Sequence, residues 1–397
     1  MKILHVNDTY DHRGGVQQYL VAVAGLLASG GHSNIIAYHR QSTHTIQDGP
    51  WPAYQVEGDD EAMLIGGLQD VAAREQPDVA YIHHVASSAL VAAVAAMLPA
   101  VAYVHGFTAV CPGMAKYFRR GDQVCGRPFG WGCVPMHYLR RCSSARRPST
   151  LARLMQSTEA LRQTFLQLPR ILVGSRYMAD LLAQNSFSPE KITILPPHFL
   201  QNDIQLNYCP PEEPNSILYA GRLEIEKGVP YLLQALSLLP DHVRLVVAGD
   251  GTLRSQYERL SADLGLADRT EFLGWIDAEE MEHCYQRCAL LVMPSICPES
   301  FGKAGVEALA HGRPVAAFAV GGIPDWMDNG VSGLLARPAD ATDLAGAIRE
   351  LLKNHMHREM MGRNGQRIVL QRYDAYHHLN TLESVFNDLI YHYTRAS

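Results

Sequence analysis

Two glutamates flank a predicted helix start in the segment PESFGKAGVE, residues 298–307. The helix is expected to begin near Gly302 or Lys303, where free backbone N–H groups and the positive dipole end favour an anion. Glu299 would then lie on one side of that anion and Glu307 on the other. Carboxylate oxygens accept hydrogen bonds from hydroxyls, so the pair could hold the two halves of one polyhydroxylated anion. Acids that merely complement the helix dipole are the alternative.

Two cations follow a predicted strand in the segment GRLEIEKG, residues 221–228. Open α/β sheets bind ligands at the carboxyl ends of their strands. Arg222 and Lys227, aimed at one such crevice, suit a diphosphate. A Walker A loop is excluded because Glu226 and Gly228 occupy its required Gly and Ser/Thr positions. A solvated loop would explain this motif alone, but not its occurrence together with the glutamate pair.

The first half of the chain contributes two further candidates at strand ends. Gly14 and Gly15 follow the first predicted strand, and they would let the loop 11–15 close over a phosphate. His105 ends the strand VAYVH, residues 101–105, where an imidazole would point into the ligand crevice. A plain tight turn and a structural histidine are the respective alternatives.

Strands and helices alternate along both halves of this 397-residue chain. Unbroken apolar strands separated by helices indicate parallel sheets covered on both faces, and two such halves predict two doubly wound α/β domains. The proline-rich segment 196–216 predicts the boundary, which gives a first domain over 1–200 and a second over 214–375. A last helix, about 376–397, is expected to pack back on the first domain. The predicted strands are 3–6, 34–39, 79–84, 101–105, 170–175, 192–195, 216–221, 243–249, 271–275, 290–294, 314–318 and 333–337.

These elements, in this order, resemble glycosyltransferase family 4, retaining enzymes of the GT-B fold. The matching segments extend over nearly the whole chain, and the Glu-x(7)-Glu motif followed by Gly-x-Pro-Val and Gly-Gly-Ile-Pro is the most specific of them. They are GGVQQY (14–19), VHG (104–106), SRYMADLL (175–182), GRLEIEKG (221–228), VVAGDG (246–251), FLGW (272–275), PESFGKAGVEALAHGRPVAAF (298–318), VGGIPDWMDNGVSGLL (320–335) and PAD (338–340).

The resemblance implies two Rossmann-like domains facing across a cleft. It also implies transfer of a hexose from a UDP- or GDP-type nucleotide-diphosphate sugar to a hydroxyl acceptor, without a cofactor or a metal. Polysaccharide or lipid-linked glycan synthesis is the expected setting. A sugar-nucleotide 2-epimerase of the same fold and a catalytically silent nucleotide-sugar sensor are the alternatives.

Roles for individual residues also follow from the resemblance. Arg222 and Lys227 would hold the diphosphate, Glu299 the sugar hydroxyls and Glu307 the ribose diol, while His105 would lie beside the sugar and the acceptor. Backbone groups would complete the donor site, with the base near Leu273 and Gly274. The implied donor-binding residues besides Glu307 are Gly14, Gly15, Gly251, Leu273, Gly274, Phe301, Gly302 and Lys303.

The net charge of the chain limits the classes of molecule that it is expected to bind. The net charge of −6 argues against nucleic acid, and a start without a long apolar run predicts a cytoplasmic protein. The segment 116–153 is an exception, with nine basic residues against one acid. We expect it to meet an anionic acceptor, such as a lipid diphosphate, through peripheral contact at the inner membrane face; a solvated face is the alternative.

Four of the eight cysteines crowd into an apparent insertion over residues 107–147. Cys111, Cys125, Cys133 and Cys142 lack the Cys-x(2–4)-Cys pairs that are usual in structural zinc sites. Unligated thiols are therefore the first interpretation, and a four-thiolate metal site or disulfides remain as alternatives.

Overall fold

The computed structural model describes residues 1–11, 14–41, 44–46, 49–143, 145–199 and 208–396. His12 and Arg13 of the glycine loop, part of the predicted linker and Ser397 lie outside the described residues.

The first domain contains a parallel sheet with the order β3-β2-β1-β4-β5-β8-β9 and a separate two-stranded antiparallel hairpin, β6-β7. Residues of β4 are buried without exception, as expected for a sheet covered on both faces. The strands are β1 (Lys2–Thr9), β2 (Ser33–Arg40), β3 (Ala53–Gln55), β4 (Val79–Ile82), β5 (Ala100–Val104), β6 (Tyr117–Phe118), β7 (Gln123–Val124), β8 (Arg170–Val173) and β9 (Ile192–Ile194). The helices are α1 (Gly15–Ser29), α2 (Glu61–Glu75), α3 (Ser88–Met97), α4 (Cys133–Arg140), α5 (Pro148–Gln167) and α6 (Arg176–Ala183).

The second domain contains a parallel sheet with the order β12-β11-β10-β13-β14-β15, the strand order of a Rossmann fold. The strands are β10 (Glu213–Ala220), β11 (Arg244–Ala248), β12 (Thr270–Gly274), β13 (Cys288–Met293), β14 (Val315–Phe318) and β15 (Gly333–Ala336). The helices are α7 (Val229–Ser237), α8 (Arg254–Asp263), α9 (Ala278–Arg287), α10 (Lys303–Ala310), α11 (Ile323–Trp326), α12 (Ala341–Lys353), α13 (His355–Arg372) and α14 (Ala375–Ala396). The prediction of two doubly wound α/β domains is confirmed.

The last helix, α14, returns to the first domain. Leu382 and Phe386 on this helix are fully buried in one cluster with Ile3, Val101 and Leu172 of the first sheet. Burial of such side chains stabilises a contact by about 2 kcal/mol each, so the helix holds the two domains together.

Direct hydrogen bonds also connect the two domains beside the sheet edges. The Ser175 hydroxyl, at the start of α6, donates to the Ser300 carbonyl oxygen at 2.5 Å. The backbone N–H of Tyr177 donates to Asp325 of α11 at 2.8 Å. Within the described ranges, none of the helices combines the length and apolar character that crossing a membrane requires.

Candidate donor-binding site

Lys227 and Glu299 form an ion pair, with 2.7 Å between Nζ and Oε1. Their side chains are 21% and 14% exposed, and the same carboxylate oxygen accepts a hydrogen bond from the Ser295 hydroxyl at 2.5 Å. Burial alone would raise the pKa of Glu299, but the Lys227 ammonium and these hydrogen bonds hold that pKa below its ordinary value. Burial likewise opposes the charge of Lys227, yet Glu299 raises the pKa of the ammonium. Both groups are therefore charged at neutral pH.

The pair forms because two loops at strand ends are joined through their backbones. Gly228 has a φ of +67°, and a Cβ at this position would lie 1.9 Å from the Pro294 carbonyl oxygen. The N–H of Ile296 donates to the Glu226 carbonyl oxygen at 3.0 Å. Glycine thus permits the loop after β10 to lie directly against the loop after β13, which brings Lys227 to Glu299.

A third loop fixes the backbone of Glu299 from the opposite side. The N–H of Gly322 donates to the Glu299 carbonyl oxygen at 2.7 Å. Gly321 has a φ of +59°, and a Cβ there would lie 2.4 Å from the Glu299 nitrogen and 2.3 Å from its oxygen. The Gly-Gly pair that follows β14 is thus part of the support for the carboxylate.

The start of α10 lies between the two glutamates, as the sequence predicts. Gly302 is the residue before the helix, with φ +91°, and no side chain caps the first turn. The Phe301 carbonyl oxygen accepts a hydrogen bond from the Trp326 indole at 2.7 Å, which anchors the approach to the helix. The N-terminal N–H groups of α10 therefore present positive charge.

Glu307 lies one turn into α10 and has partners of its own. Its Oε1 is 2.9 Å from Lys303 Nζ, and its Oε2 accepts a hydrogen bond from the Tyr285 hydroxyl at 3.2 Å. The carboxylate is 28% exposed. Each of the two predicted acids thus pairs with a lysine, one on each side of the helix start.

Arg222 lies at the rim of this group. Its side chain is 67% exposed and its NH2 is 3.3 Å from Glu226 Oε1, and its charge contributes to lowering the pKa of Glu299 after the nearer Lys227 and Ser295. An exposed guanidinium with a weak partner on its own loop can reorient toward a ligand at little cost.

The ends of β10, β11 and β12 converge next to Arg222. Leu223 donates from its N–H to the Asp250 carbonyl oxygen at 2.9 Å, which brings Gly251 against the arginine loop. The N–H of Gly249 donates to the Gly274 carbonyl oxygen at 2.7 Å, and Leu273 beside it is half-buried. Gly251, Leu273 and Gly274 therefore lie at the same sheet edge as Arg222.

His105 lies at the carboxyl end of β5 in the first domain. Its ring stacks on Tyr103 with 4.4 Å between centroids and meets the edge of Tyr19 at 5.1 Å. Tyr19 belongs to α1, which begins at Gly15 directly after Gly14, so the helix that His105 contacts starts at the glycine pair. Burial lowers the pKa of His105 to about 3, and within the described residues its buried Nε2 has no hydrogen-bond partner. The imidazole is neutral and can accept or donate one hydrogen bond.

Three more buried histidines are connected to His105 by ring contacts, directly or through Tyr19 and His378, and sequence reasoning did not single them out. His83 lies 5.9 Å from His105, centroid to centroid. His378 of α14 is 3.2 Å from the Tyr19 hydroxyl, and its ring is 4.8 Å from that of His198. The sequence could have indicated His83, because this residue directly follows the strand β4. His378 is brought close only by the return of α14, which no local pattern indicates.

The matches to family models divide at the same boundary as the fold. Residues 13–198 match the Glycosyltransferase Family 4 model, and residues 204–368 match the Glycosyl transferases group 1 model. Two Rossmann-like domains, with paired acids and cations around one helix start, define a protein of the GT-B class. Both halves of the chain are therefore similar to glycosyltransferase domains, and the two matches together cover most of its length.

Individual relatives support this assignment over parts of the chain. An uncharacterised glycosyltransferase of Methanocaldococcus jannaschii is 31% identical over 164 residues, which is 41% of this chain and 42% of the relative. The D-inositol 3-phosphate glycosyltransferase of Mycolicibacterium smegmatis is 38% identical over 147 residues, 36% of this chain and 33% of the relative. Both alignments thus span less than half of the relative's own length.

Among solved structures, Anabaena HepE in complex with UDP-glucose superimposes with a TM-score of 0.73 at 19% identity. The match covers 98% of this chain and 100% of HepE. At this identity the likeness concerns the fold, and it extends over both domains.

Proposed function

We propose that the chain transfers a hexose from a nucleotide-diphosphate sugar to a hydroxyl acceptor with retention of configuration. The observation that carries the proposal is the arrangement at the start of α10, where Lys227–Glu299 and Lys303–Glu307 flank an uncapped helix N-terminus. A nucleotide-diphosphate sugar has the matching order of groups, with hydroxyls on both sides of a central dianion.

In this proposal each group of the site has one task. Lys227 and Arg222 bind the diphosphate together with the N–H groups of α10. Glu299 accepts hydrogen bonds from sugar hydroxyls, and Glu307 accepts them from the ribose diol. The existing ion pairs hold both carboxylates in position before the donor arrives, so little reorganisation is needed.

The proposed chemistry is attack from the face that the diphosphate leaves. The acceptor oxygen bonds to the anomeric carbon as the bond from that carbon to the phosphate oxygen breaks, and the departing phosphate oxygen takes the acceptor's proton. The cations and the helix N-terminus stabilise the charge that develops on the leaving diphosphate. Neutral His105 is proposed to orient a hydroxyl of the sugar or acceptor through its unpaired Nε2.

The acceptor is proposed to reach the site from an anionic membrane surface. Seven arginines of the segment 116–153 are exposed, and large apolar side chains are exposed in or next to this segment: Met114 at 61%, Trp131 at 89% and Leu139 at 58%. Exposed basic and aromatic side chains in one segment suit the interface of an anionic bilayer. The exposed arginines are Arg119, Arg120, Arg127, Arg141, Arg146, Arg147 and Arg153.

A thermal-shift screen over UDP- and GDP-sugars tests donor binding, because a ligand of the folded state raises the unfolding temperature. UDP-glucose is the first donor to test, since HepE of the same fold is known in complex with it. Release of nucleoside diphosphate, dependent on an added acceptor, then tests transfer. Conversion of the donor sugar without release of nucleoside diphosphate would instead identify an epimerase, and binding without any turnover would identify a sensor.

A further inference from the structure

The four clustered cysteines line one small cavity, although their sequence spacing shows no metal-binding pattern. The cavity lies beneath the hairpin β6-β7 and encloses about 20 Å³, room for a single water-sized occupant. Its lining includes Cys111, Cys125, Cys133 and Cys142 together with Lys116. All four are free thiols in the structure.

We propose that these four cysteines bind one zinc ion, in a structural site that organises the insertion between β5 and α5. Four sulfur ligands around one small space favour tetrahedral Zn²⁺. A single ion fits this cavity, and an iron–sulfur cluster, which contains several iron and sulfide atoms, is the alternative that the test must distinguish. The proposal is independent of the donor chemistry and is tested without an activity assay.

The local backbone explains how unevenly spaced cysteines converge. Cys125 follows β7 and donates from its N–H to the Lys116 carbonyl oxygen at 2.7 Å. Cys133 is the first residue of α4, and Cys142 follows the residue that ends the helix. A Cβ at Gly113 would lie 2.2 Å from the Cys142 carbonyl oxygen, so the chain after Cys111 lies directly against the chain after α4.

All four thiols line the one cavity, so they form a group of four there instead of two separate pairs. Two disulfides would require only that each sulfur have one neighbour, whereas a tetrahedral ion requires that each have three.

Lys116 supplies the charge that a zinc–thiolate site needs. It is 2% exposed, its ammonium donates to the Arg127 carbonyl oxygen, and within the described ranges it forms no ion pair with a carboxylate. Four thiolates on Zn²⁺ carry a net charge of −2, which Lys116 and the neighbouring Arg127 would offset. A buried ammonium without an anion is unfavourable, so the lysine itself indicates an anionic occupant.

The thiols must turn inward to bind the ion, because no group of three or more potential ligands in the described ranges is already arranged as a metal site. Each Zn–S bond, about 2.3 Å long, forms as a thiol releases its proton to solvent. Binding one ion thus releases four protons and changes no oxidation state.

The insertion contacts both domains, so the ion would stabilise more than a surface loop. Phe129 donates from its N–H to Asn185 of the first domain at 2.7 Å. Tyr117 is buried in the core of the second domain, and Asp122 accepts hydrogen bonds from the hydroxyls of Tyr117 and Tyr231.

The test is metal analysis of the full chain purified in reducing buffer without chelators, followed by titration of the metal-free protein with Co²⁺. We expect about one equivalent of zinc and, after exchange, the absorption of tetrahedral cobalt–thiolate coordination. Cys133→Ser should lose the zinc, while Cys209→Ser, at an exposed cysteine outside the cavity, should retain it.

Several results would overturn the proposal. One is a zinc content below about 0.2 equivalents in protein that also fails to give the cobalt spectrum. The others are full zinc content in Cys133→Ser and an iron–sulfur absorption spectrum. Loss of four hydrogens in the intact mass would identify two disulfides instead. The cobalt titration of the unsubstituted chain keeps the test valid if Cys133→Ser does not fold.

Discussion

The ammonium of Lys227 lies 2.7 Å from the carboxylate of Glu299, although 72 positions separate them in the chain. The two groups come from loops after different strands, and each keeps the other charged in a site that is mostly closed to water. A diphosphate can take over the contact to Lys227 while sugar hydroxyls take over the contact to Glu299. The pair therefore marks the position at which the sugar of a bound donor would separate from the diphosphate.

Lys227→Ala is expected to lower kcat/KM. The expected loss of transition-state stabilisation is about 3 kcal/mol, the effect of removing one preorganised stabiliser of the leaving group. It also leaves Glu299 without its cation, which should destabilise the second domain by about 3 kcal/mol. Steady-state kinetics and urea unfolding measure the two effects separately. Lys353→Ala, at an exposed lysine of α12, is the matched control. An unchanged kcat/KM in Lys227→Ala would remove this lysine from the site.

Gly321→Ala tests the loop that fixes the backbone of Glu299. The added Cβ would lie 2.3 Å from the Glu299 carbonyl oxygen, so the loop must move and the carboxylate with it. Gly330→Ala is the control, because that residue also has a positive φ but a Cβ there would meet nothing within 4 Å. We expect a loss of about 1 kcal/mol of stability in the control, from backbone strain alone.

Donor KM and urea unfolding should distinguish the two glycine variants. Gly321→Ala should lose clearly more stability than Gly330→Ala and should bind the donor at least about tenfold more weakly, which corresponds to about 1.4 kcal/mol. Equal donor binding by the two variants would mean that the position of Glu299 does not depend on Gly321.

The sequence predicts the sheets well because their strands are short apolar runs buried on both faces. The residues of β13, for example, are all buried. Helix α13 was not predicted, and its composition gives the reason. Its buried residues include Arg358, Gln366, Gly362 and Gly365 besides three apolar ones, since the helix packs closely against the Gly312 backbone.

The sequence indicates which residues lie together at the candidate site, but it does not indicate the contacts between their side chains. Strand-end positions indicated that Arg222, Lys227 and Glu299 share one sheet edge. The direct ion pair depends on backbone conformations at Gly228 and Gly321, which no hydrophobic pattern encodes. The convergence of the four cysteines depends in the same way on turns within the insertion.

Buried histidines should make the chain sensitive to acid. Burial lowers the pKa of His5 and His198 to about 4 and that of His105 and His378 to about 3. Each folded-state pKa lies below the unfolded value, so the unfolded chain binds more protons once the pH falls below about 6.5. Each histidine then removes up to about 1.4 kcal/mol of stability per pH unit, down to its folded pKa.

His198→Phe provides the measurement. The Nδ1 of His198 makes no hydrogen bond within the described residues, so the substitution removes a titrating group and keeps the aromatic contact with His378. Unfolding free energy measured between pH 5 and 6 should depend less steeply on pH, by up to about 1.4 kcal/mol per unit. His355→Phe, at an exposed position of α13, should not alter the slope. An unaltered slope in His198→Phe would show that His198 is not buried in its neutral form.

Binding to vesicles tests the proposed contact of the basic segment with a membrane surface. Each arginine near an anionic bilayer contributes about 1 kcal/mol, so Arg146→Ala combined with Arg147→Ala should weaken co-sedimentation with anionic vesicles roughly thirtyfold. The matched control is Arg337→Ala with Arg363→Ala, because these exposed arginines belong to the second domain. Raising the salt concentration should reduce binding of the unsubstituted chain, since screening shortens the reach of surface charges. Binding that depends on neither salt nor anionic lipid content would contradict an electrostatic contact. The vesicle contact would then be assigned to Trp131 and the apolar side chains near it.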